Sequence, residues 1–284
     1  MGQKPDMQLR DFNGVKLEFY DGGNPEGDPL YYIHGGGSVE FQGIADQPML
    51  VENYRLINVH RRGYGRSDFP DSSMTIEHYA ADTKMVLDHL GIERAHFVSE
   101  SAGGLTLLQF ALDYPEAVQT ITLMEPPIPS VINADPQFLE AMETAGARYE
   151  EGDKAGAVDF FLRGVAGDNY QEQFDANLPE GWFEQMVVDI EVITQVESAA
   201  IDNWSFTEED ARRITQPILN LTGERTASYL AKCYETVKSW FPHAENVVLA
   251  DTTHGMVETN PGGVAKHLHG FVSRHPISKL QMVN

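Results

Sequence analysis

The sequence predicts an α/β fold: a mainly parallel sheet flanked by helices, with one helical block inserted between two of its strands. Three observations predict it. Short apolar runs alternate with helical patterns from the start, as βαβ units do. The alternation stops at Pro126-Pro127-Ile128-Pro129 and resumes at Pro217, leaving a helical, acidic stretch from about 130 to 213. At residues 97–104, Phe-Val-Ser-Glu-Ser-Ala-Gly-Gly, an apolar strand runs straight into a small-residue turn and a helix. That local design delivers a side chain to the carboxyl edge of the sheet.

The elements follow in order. Residues 15–20 (Val-Lys-Leu-Glu-Phe-Tyr) alternate with period two, as an edge strand with one wet face would. Residues 30–33 and 55–59 are more continuously apolar and predict buried strands. Ile76, Tyr79, Val86, Leu87 and Leu90 form a helical stripe over 75–90, closed by Gly91. A strand at 95–99, a helix over 102–113 stopped by Pro115 and a strand at 118–124 come next. In the inserted block, Trp182, Phe183, Met186, Val187 and Ile190 make one amphipathic stripe, and Phe160 and Phe161 mark another. The alternation then returns as a strand at 218–222, a helix over 227–240, a strand at 247–250 and a last helix from about 261 to 273. An insertion that leaves and re-enters one sheet is expected to be a lid over the strands' carboxyl ends. The expected division is a core of residues 1–126 and 214–284 with a helical cap at 127–213.

Composition narrows the function. The 284 residues suffice for a large core, and 42% apolar content with 10% aromatics belongs to a globular chain. A net charge of −23, from 43 acidic and 20 basic residues, argues against binding nucleic acid or an anionic membrane. No apolar run reaches the length of a membrane span, and Met1-Gly2-Gln3-Lys4-Pro5-Asp6 has no apolar signal region. Asp6 stands where a myristoylation signal after Gly2 needs Ser or Thr. The single cysteine, Cys233, excludes an internal disulfide, fits a reducing cytoplasm, and is expected to be a small buried filler.

The chemistry gathers around Ser101. Ser99 two before it and Gly103 two after let strand and helix pass closely, giving G-x-S-x-G with serine for the first glycine. His34-Gly35-Gly36-Gly37 follows a strand, and its glycines free backbone N–H groups to face a cleft. With the N–H of Ala102, that of Gly36 or Gly37 would receive the oxyanion of an acyl transfer. A phosphate cradle fits less well, because no G-x-G-x-x-G is present and no lysine follows the glycines. His34 itself is expected to brace the loop. Of the ten histidines, His254 in Asp251-Thr252-Thr253-His254-Gly255-Met256 sits directly after the last strand, where a loop histidine can reach the serine. The acid behind it stays open between two residues. Glu125 ends the strand at 118–124 and is pinned by prolines; Glu224 follows the strand at 218–222, beside Arg225. Thr226, three after Gly223, carries no carboxylate. Glu125 is favoured and Glu224 is the alternative; Asp251 is too close in sequence to orient His254 easily.

These residues, with His60-Arg61-Arg62-Gly63-Tyr64-Gly65-Arg66-Ser67-Asp68, resemble the α/β-hydrolase superfamily over nearly the whole chain. The resemblance implies an α/β-hydrolase fold: a mostly parallel eight-stranded sheet flanked by helices, with an inserted helical cap. Ser99 for the first elbow glycine is one departure, and Thr226 for the usual acid is the other. Haloalkane dehalogenases of the same superfamily can carry the acid after the sixth strand, where Glu125 stands. Ser101 argues against their chemistry and that of epoxide hydrolases, which use an aspartate nucleophile. The expectation is a cytoplasmic serine hydrolase, monomer or homodimer, that cleaves a small apolar carboxylic ester or lactone through an acyl-enzyme on Ser101. It would use His254 as base, Glu125 as acid, and no cofactor or metal. Carbon–carbon, amide or cofactor-free peroxidase chemistry on the same site is one alternative. A hydrolase-like binding protein without turnover is the other.

Overall fold

The computed structural model describes residues 5–70 and 73–278. The opening stretch read for a targeting signal lies partly outside them, at residues 1–4. Eight strands form one sheet: β1 Gln8–Phe12, β2 Val15–Gly23, β3 Asp28–Ile33, β4 Tyr54–Val59, β5 Ala95–Glu100, β6 Val118–Met124, β7 Ile218–Gly223 and β8 Glu245–Leu249. Their order across the sheet is β1-β2-β4-β3-β5-β6-β7-β8. β1–β2 and β2–β4 pair antiparallel and all other neighbours pair parallel. The chain thus has the predicted α/β-hydrolase architecture, with β5 near the middle of the sheet.

Two expectations at the N-terminal edge need correction. β1 has no counterpart in the apolar pattern, because in Gln8–Phe12 only Phe12 is buried. With β1 outside it, β2 is an inner strand rather than an edge. Its supposed wet residue, Glu18, is buried: it binds the His60 ring, the Arg66 guanidinium and the Arg66 N–H. A carboxylate is tolerated there because charged and hydrogen-bonding partners replace its water.

Alternation along the parallel strands fills both faces of the sheet. Phe97 and Ile121 pack on one side with helices Ile76–His89, Gly103–Asp113 and Ser228–Trp240. Val98 and Leu221 pack on the other with helix Pro261–Val272. Cys233 is fully buried on Ser228–Trp240, the packing role expected of it. Between β6 and β7 the chain runs through Pro136–Glu150, Lys154–Ala166, Tyr170–Asn177 and Trp182–Val192, then a single π turn, Ile193–Glu197. Among the described residues no helix is long and apolar enough to cross a membrane.

The inserted helices meet the core through buried carboxylates. Asp189 accepts from Ser38 N–H at 2.8 Å and Ser38 Oγ at 2.7 Å. Glu197, on the π turn, receives Arg61 Nη1 and the Tyr64 hydroxyl. Both carboxylates thus reach the two loops that follow β3 and β4, at the edge where the serine turn emerges.

Candidate active site

β5 ends at Glu100 and the helix Gly103–Asp113 begins two residues beyond Ser101. Ser101 bridges them at φ 48°, a left-handed conformation that costs an ordinary residue roughly 1–2 kcal/mol. Tight packing holds it there. A Cβ on Gly103 would lie 2.4 Å from the Ile33 carbonyl oxygen, and one on Gly35 would lie 2.9 Å from Ser101 Cβ. The Ser101 N–H donates to the Met124 carbonyl at 2.9 Å, fastening the turn to the end of β6. Ser99, in place of the first elbow glycine, is fully buried and donates its hydroxyl to the Thr122 carbonyl at 3.2 Å.

One residue past that strand end, Glu125 also has φ 48°. Ser101 and Glu125 are therefore both strained turn residues at the carboxyl ends of adjacent strands. His254 lies between them: its Nε2 is 3.0 Å from Ser101 Oγ and its Nδ1 is 2.7 Å from Glu125 Oε2. Glu125 has no solvent exposure. Its Oε1 accepts from Thr222 Oγ1 at 2.5 Å and Gly223 N–H at 2.9 Å; its Oε2 also accepts from Thr226 Oγ1 at 2.8 Å. These donors compensate for the water that burial removes. Thr226, which carries no carboxylate, instead holds that of Glu125. Glu224 stands apart from this relay: its Oε2 accepts from the Asp251 N–H at 3.0 Å.

The relay sets the histidine's protonation. Burial alone would disfavour the imidazolium, but the Glu125 hydrogen bond and charge, with the Glu100 charge added, raise the His254 pKa above its ordinary value. His34 goes the opposite way. Burial and the charges of Arg61 and His60 push its pKa well down, overcoming its bond to Gly35. Its Nε2 accepts from the Arg61 N–H at 3.0 Å and Nδ1 faces the Gly35 carbonyl at 3.0 Å, so this ring is a neutral brace.

The glycine loop differs from expectation at one position. Gly37 N–H donates to Glu40 Oε1 at 2.9 Å and Gly35 N–H to Glu40 Oε2 at 2.5 Å. The Gly37 amide is therefore engaged and unavailable to an oxyanion. Gly36 and Ala102 line the cavity beside Ser101. Among the described residues neither of their amides has an acceptor within the protein. Ala102 also opens a helix, whose N-terminus favours negative charge.

Sequence reasoning missed the carboxyl groups around this edge. Glu100 accepts from the Tyr32 hydroxyl at 2.9 Å and from Met256 N–H at 3.1 Å, so it ties the His254 loop to the serine turn. Burial pushes its pKa up to about 7. Glu40, Glu100 and Glu258 are all buried, with a ligand oxygen from each within 4.8 Å of the others, close enough to hold a metal ion. Four of their six oxygens already accept hydrogen bonds. The only local signals for Glu40 and Glu100 were an acid soon after the glycines and a charge at the end of an apolar strand.

A cavity of about 460 Å³ opens over Ser101 and His254. The inserted helices supply much of its wall, including Phe161, Leu162, Met186 and Ile190. Phe174 crosses to the histidine loop, where a Cβ on Gly255 would lie 2.9 Å from its ring.

Residues 28–261 match the model of the α/β-hydrolase fold family. The chain belongs to that family. Among curated relatives it is 34% identical over 112 residues to the uncharacterized hydrolase YcgS of Bacillus subtilis, covering 39% of this chain and 38% of that protein. It is 34% identical over 125 residues to a 2-hydroxy-6-oxo-6-phenylhexa-2,4-dienoate hydrolase of Comamonas testosteroni, covering 41% and 42% respectively. The match therefore spans about two fifths of the length of each of these relatives. In fold the chain is similar to a thermophilic esterase from Thermogutta terrifontis, at TM-score 0.78 and 19% identity over 97% of this chain and all of that one. It is also similar to an enol-lactonase from Burkholderia xenovorans, at TM-score 0.72 and 19% identity over 94% of this chain and 100% of that one.

Proposed function

We propose that the protein is a serine hydrolase that cleaves a small carboxylic ester or lactone through an acyl-enzyme on Ser101. The observation that carries this reading is the unbroken relay from Ser101 Oγ to His254 Nε2 and from His254 Nδ1 to Glu125 Oε2, at 3.0 and 2.7 Å. Ser101 Oγ attacks the carbonyl carbon while its proton passes to His254 Nε2. Glu125 holds the resulting imidazolium, and the Gly36 and Ala102 amides receive the oxyanion. Collapse of the adduct breaks the acyl–oxygen bond, and the leaving oxygen takes the proton from His254. A water that gives its proton to His254 then releases the acid and restores Ser101. No step of this cycle calls for a metal or cofactor.

Residues 1–126 and 214–284 act as the catalytic core, with 127–213 as the cap that shapes the substrate cavity. A buried lone cysteine fits a cytoplasmic setting. Without a carboxylate at 226 a binding protein without turnover is the rival reading, and the Glu125 hydrogen bond to His254 supports turnover instead. Carbon–carbon hydrolysis is the second reading, favoured by the 34% identity to the dienoate hydrolase.

The deciding experiment pairs a serine-directed fluorophosphonate probe with p-nitrophenyl esters and lactones. Labelling at Ser101 with ester or lactone turnover, both lost in Ser101→Ala, is the expected result. Labelling without either turnover, alongside cleavage of a dienoate, would transfer the assignment to carbon–carbon hydrolysis.

A further inference from the structure

We propose that the cavity selects by charge, accepting neutral acyl groups, tolerating cationic ones and rejecting anionic ones. This rests on the serine-hydrolase reading and names a substrate class for that same site.

Two features of the lining carry it. The cap wall is apolar through Leu139, Val158, Phe161, Leu162 and Met186. Apart from the relay histidine, His254, the acidic and basic residues of the lining all carry carboxyl groups: Glu40, Glu100 and Glu258 in one cluster, with Glu197 and Asp202 from the insertion. Among the described residues lining the cavity there is no lysine or arginine. The nearby buried Arg61 is committed to Glu197 and, at 2.6 Å, to the Gly35 carbonyl. Glu258 Oε2 adds an independent pointer. It is buried and has no hydrogen-bond partner, so the lining holds an unpartnered oxygen that can receive an ammonium.

The physics disfavours only one sign. A substrate carboxylate entering a largely apolar cavity loses its water and finds no lysine or arginine in return. It also approaches carboxyl groups that crowd one another. Burial first, and then the Glu100 charge, holds Glu40 and Glu258 well above the ordinary carboxyl pKa, so the charge that repels a second anion is that of Glu100. One ionised carboxylate about 6 Å away, at an effective dielectric of about 20, corresponds to on the order of a hundredfold in affinity. An ammonium meets the same desolvation but finds acceptors.

Three esters of matched length test this: p-nitrophenyl hexanoate, p-nitrophenyl 6-aminohexanoate and mono-p-nitrophenyl adipate. The expected order in kcat/KM is hexanoate, then the ammonium ester, then adipate, with adipate roughly a hundredfold below hexanoate. Adipate within about threefold of hexanoate, or both charged esters equally poor, would overturn charge selection. Calorimetric binding of the three esters to Ser101→Ala should give the same order without turnover. A protein that binds in this order yet hydrolyses none of them keeps the charge inference and loses the hydrolase reading. Asp202 is exposed, so Asp202→Lys should fold and raise adipate relative to hexanoate by about tenfold. An unchanged ratio counts against the proposal.

Discussion

The sheet edge and the helical insertion meet over the same cavity but are held by different forces. At the ends of β5, β6 and β7 the arrangement is polar and closely determined: Ser101 and Glu125 are strained, and Glu125 alone accepts four hydrogen bonds. In the insertion the wall is apolar, and polar anchorage to the two loops beside the serine turn comes through Asp189 and Glu197. Directional bonds fix atoms to fractions of an ångström, whereas apolar contacts fix volume and shape. Changes at the edge should therefore act on the chemical step, and changes in the wall on which substrate is bound.

The largest expected effect lies at the edge. Ser101→Ala should lower kcat for ester hydrolysis roughly 10⁴- to 10⁶-fold while the protein keeps its melting temperature. Turnover retained to within tenfold of wild type would mean that the edge is not the reacting site. Next comes the proposed acid. Glu125→Gln should cost about 10³- to 10⁴-fold in kcat, and Glu224→Gln less than about twofold. The reverse order would place the acid after β7, contrary to the hydrogen bonds of His254.

The relay also sets the pH response. A raised His254 pKa puts the acid limb of kcat/KM above the ordinary histidine value of 6.5, because the base must be neutral to take the serine proton. Activity is thus lost as pH falls through that pKa. In Glu125→Gln the hydrogen-bonded charge is gone and burial, which lowers the pKa, remains. The residual activity should therefore show its acid limb at lower pH than wild type. A limb unmoved by the substitution would separate Glu125 from the titrating base.

The wall gives a smaller and different response. Phe161→Ala enlarges the cavity without touching the relay. It should shift preference toward longer or bulkier acyl groups, changing KM by about tenfold while kcat stays within about threefold. A loss confined to kcat would mean that the wall positions the reacting atoms.

The same contrast decides what was legible in the sequence. Ser101 and His254 are marked locally, by small residues around a turn and by a loop directly after a strand. Glu125 is marked by the prolines that follow it. Thr222 and Thr226 are 97 and 101 residues from Glu125, and no local pattern encodes such a meeting. Gly37 differs from expectation because Glu40, three residues on, is buried and takes its amide, whereas an acid in a loop is ordinarily solvated. β1 escaped because an exposed edge strand needs little apolar character, and its absence made β2 an edge and Glu18 a surface residue. The insertion's helices were legible as amphipathic stripes. Which of their acids turn inward was not, since Asp189 and Glu197 meet Ser38, Arg61 and Tyr64 only through loops far away in the sequence.

The smallest predicted effect tests that anchorage directly. Asp189 is fully buried and takes two bonds from Ser38, one from the backbone and one from the hydroxyl, and a third from Gln185 Nε2 at 2.8 Å. Ser38→Ala removes only the hydroxyl, leaving a buried carboxylate with one fewer donor. The expected cost is about 1–2 kcal/mol, a drop of roughly 2–4 °C in Tm for a chain of this size. Because Ser38 adjoins the glycine loop but belongs to neither the relay nor the Gly36 amide, kcat on a short-chain ester should hold within about twofold. If kcat instead falls tenfold with Tm unchanged, insertion and edge are not separable, and the Asp189 contact works by setting the glycine loop for the oxyanion.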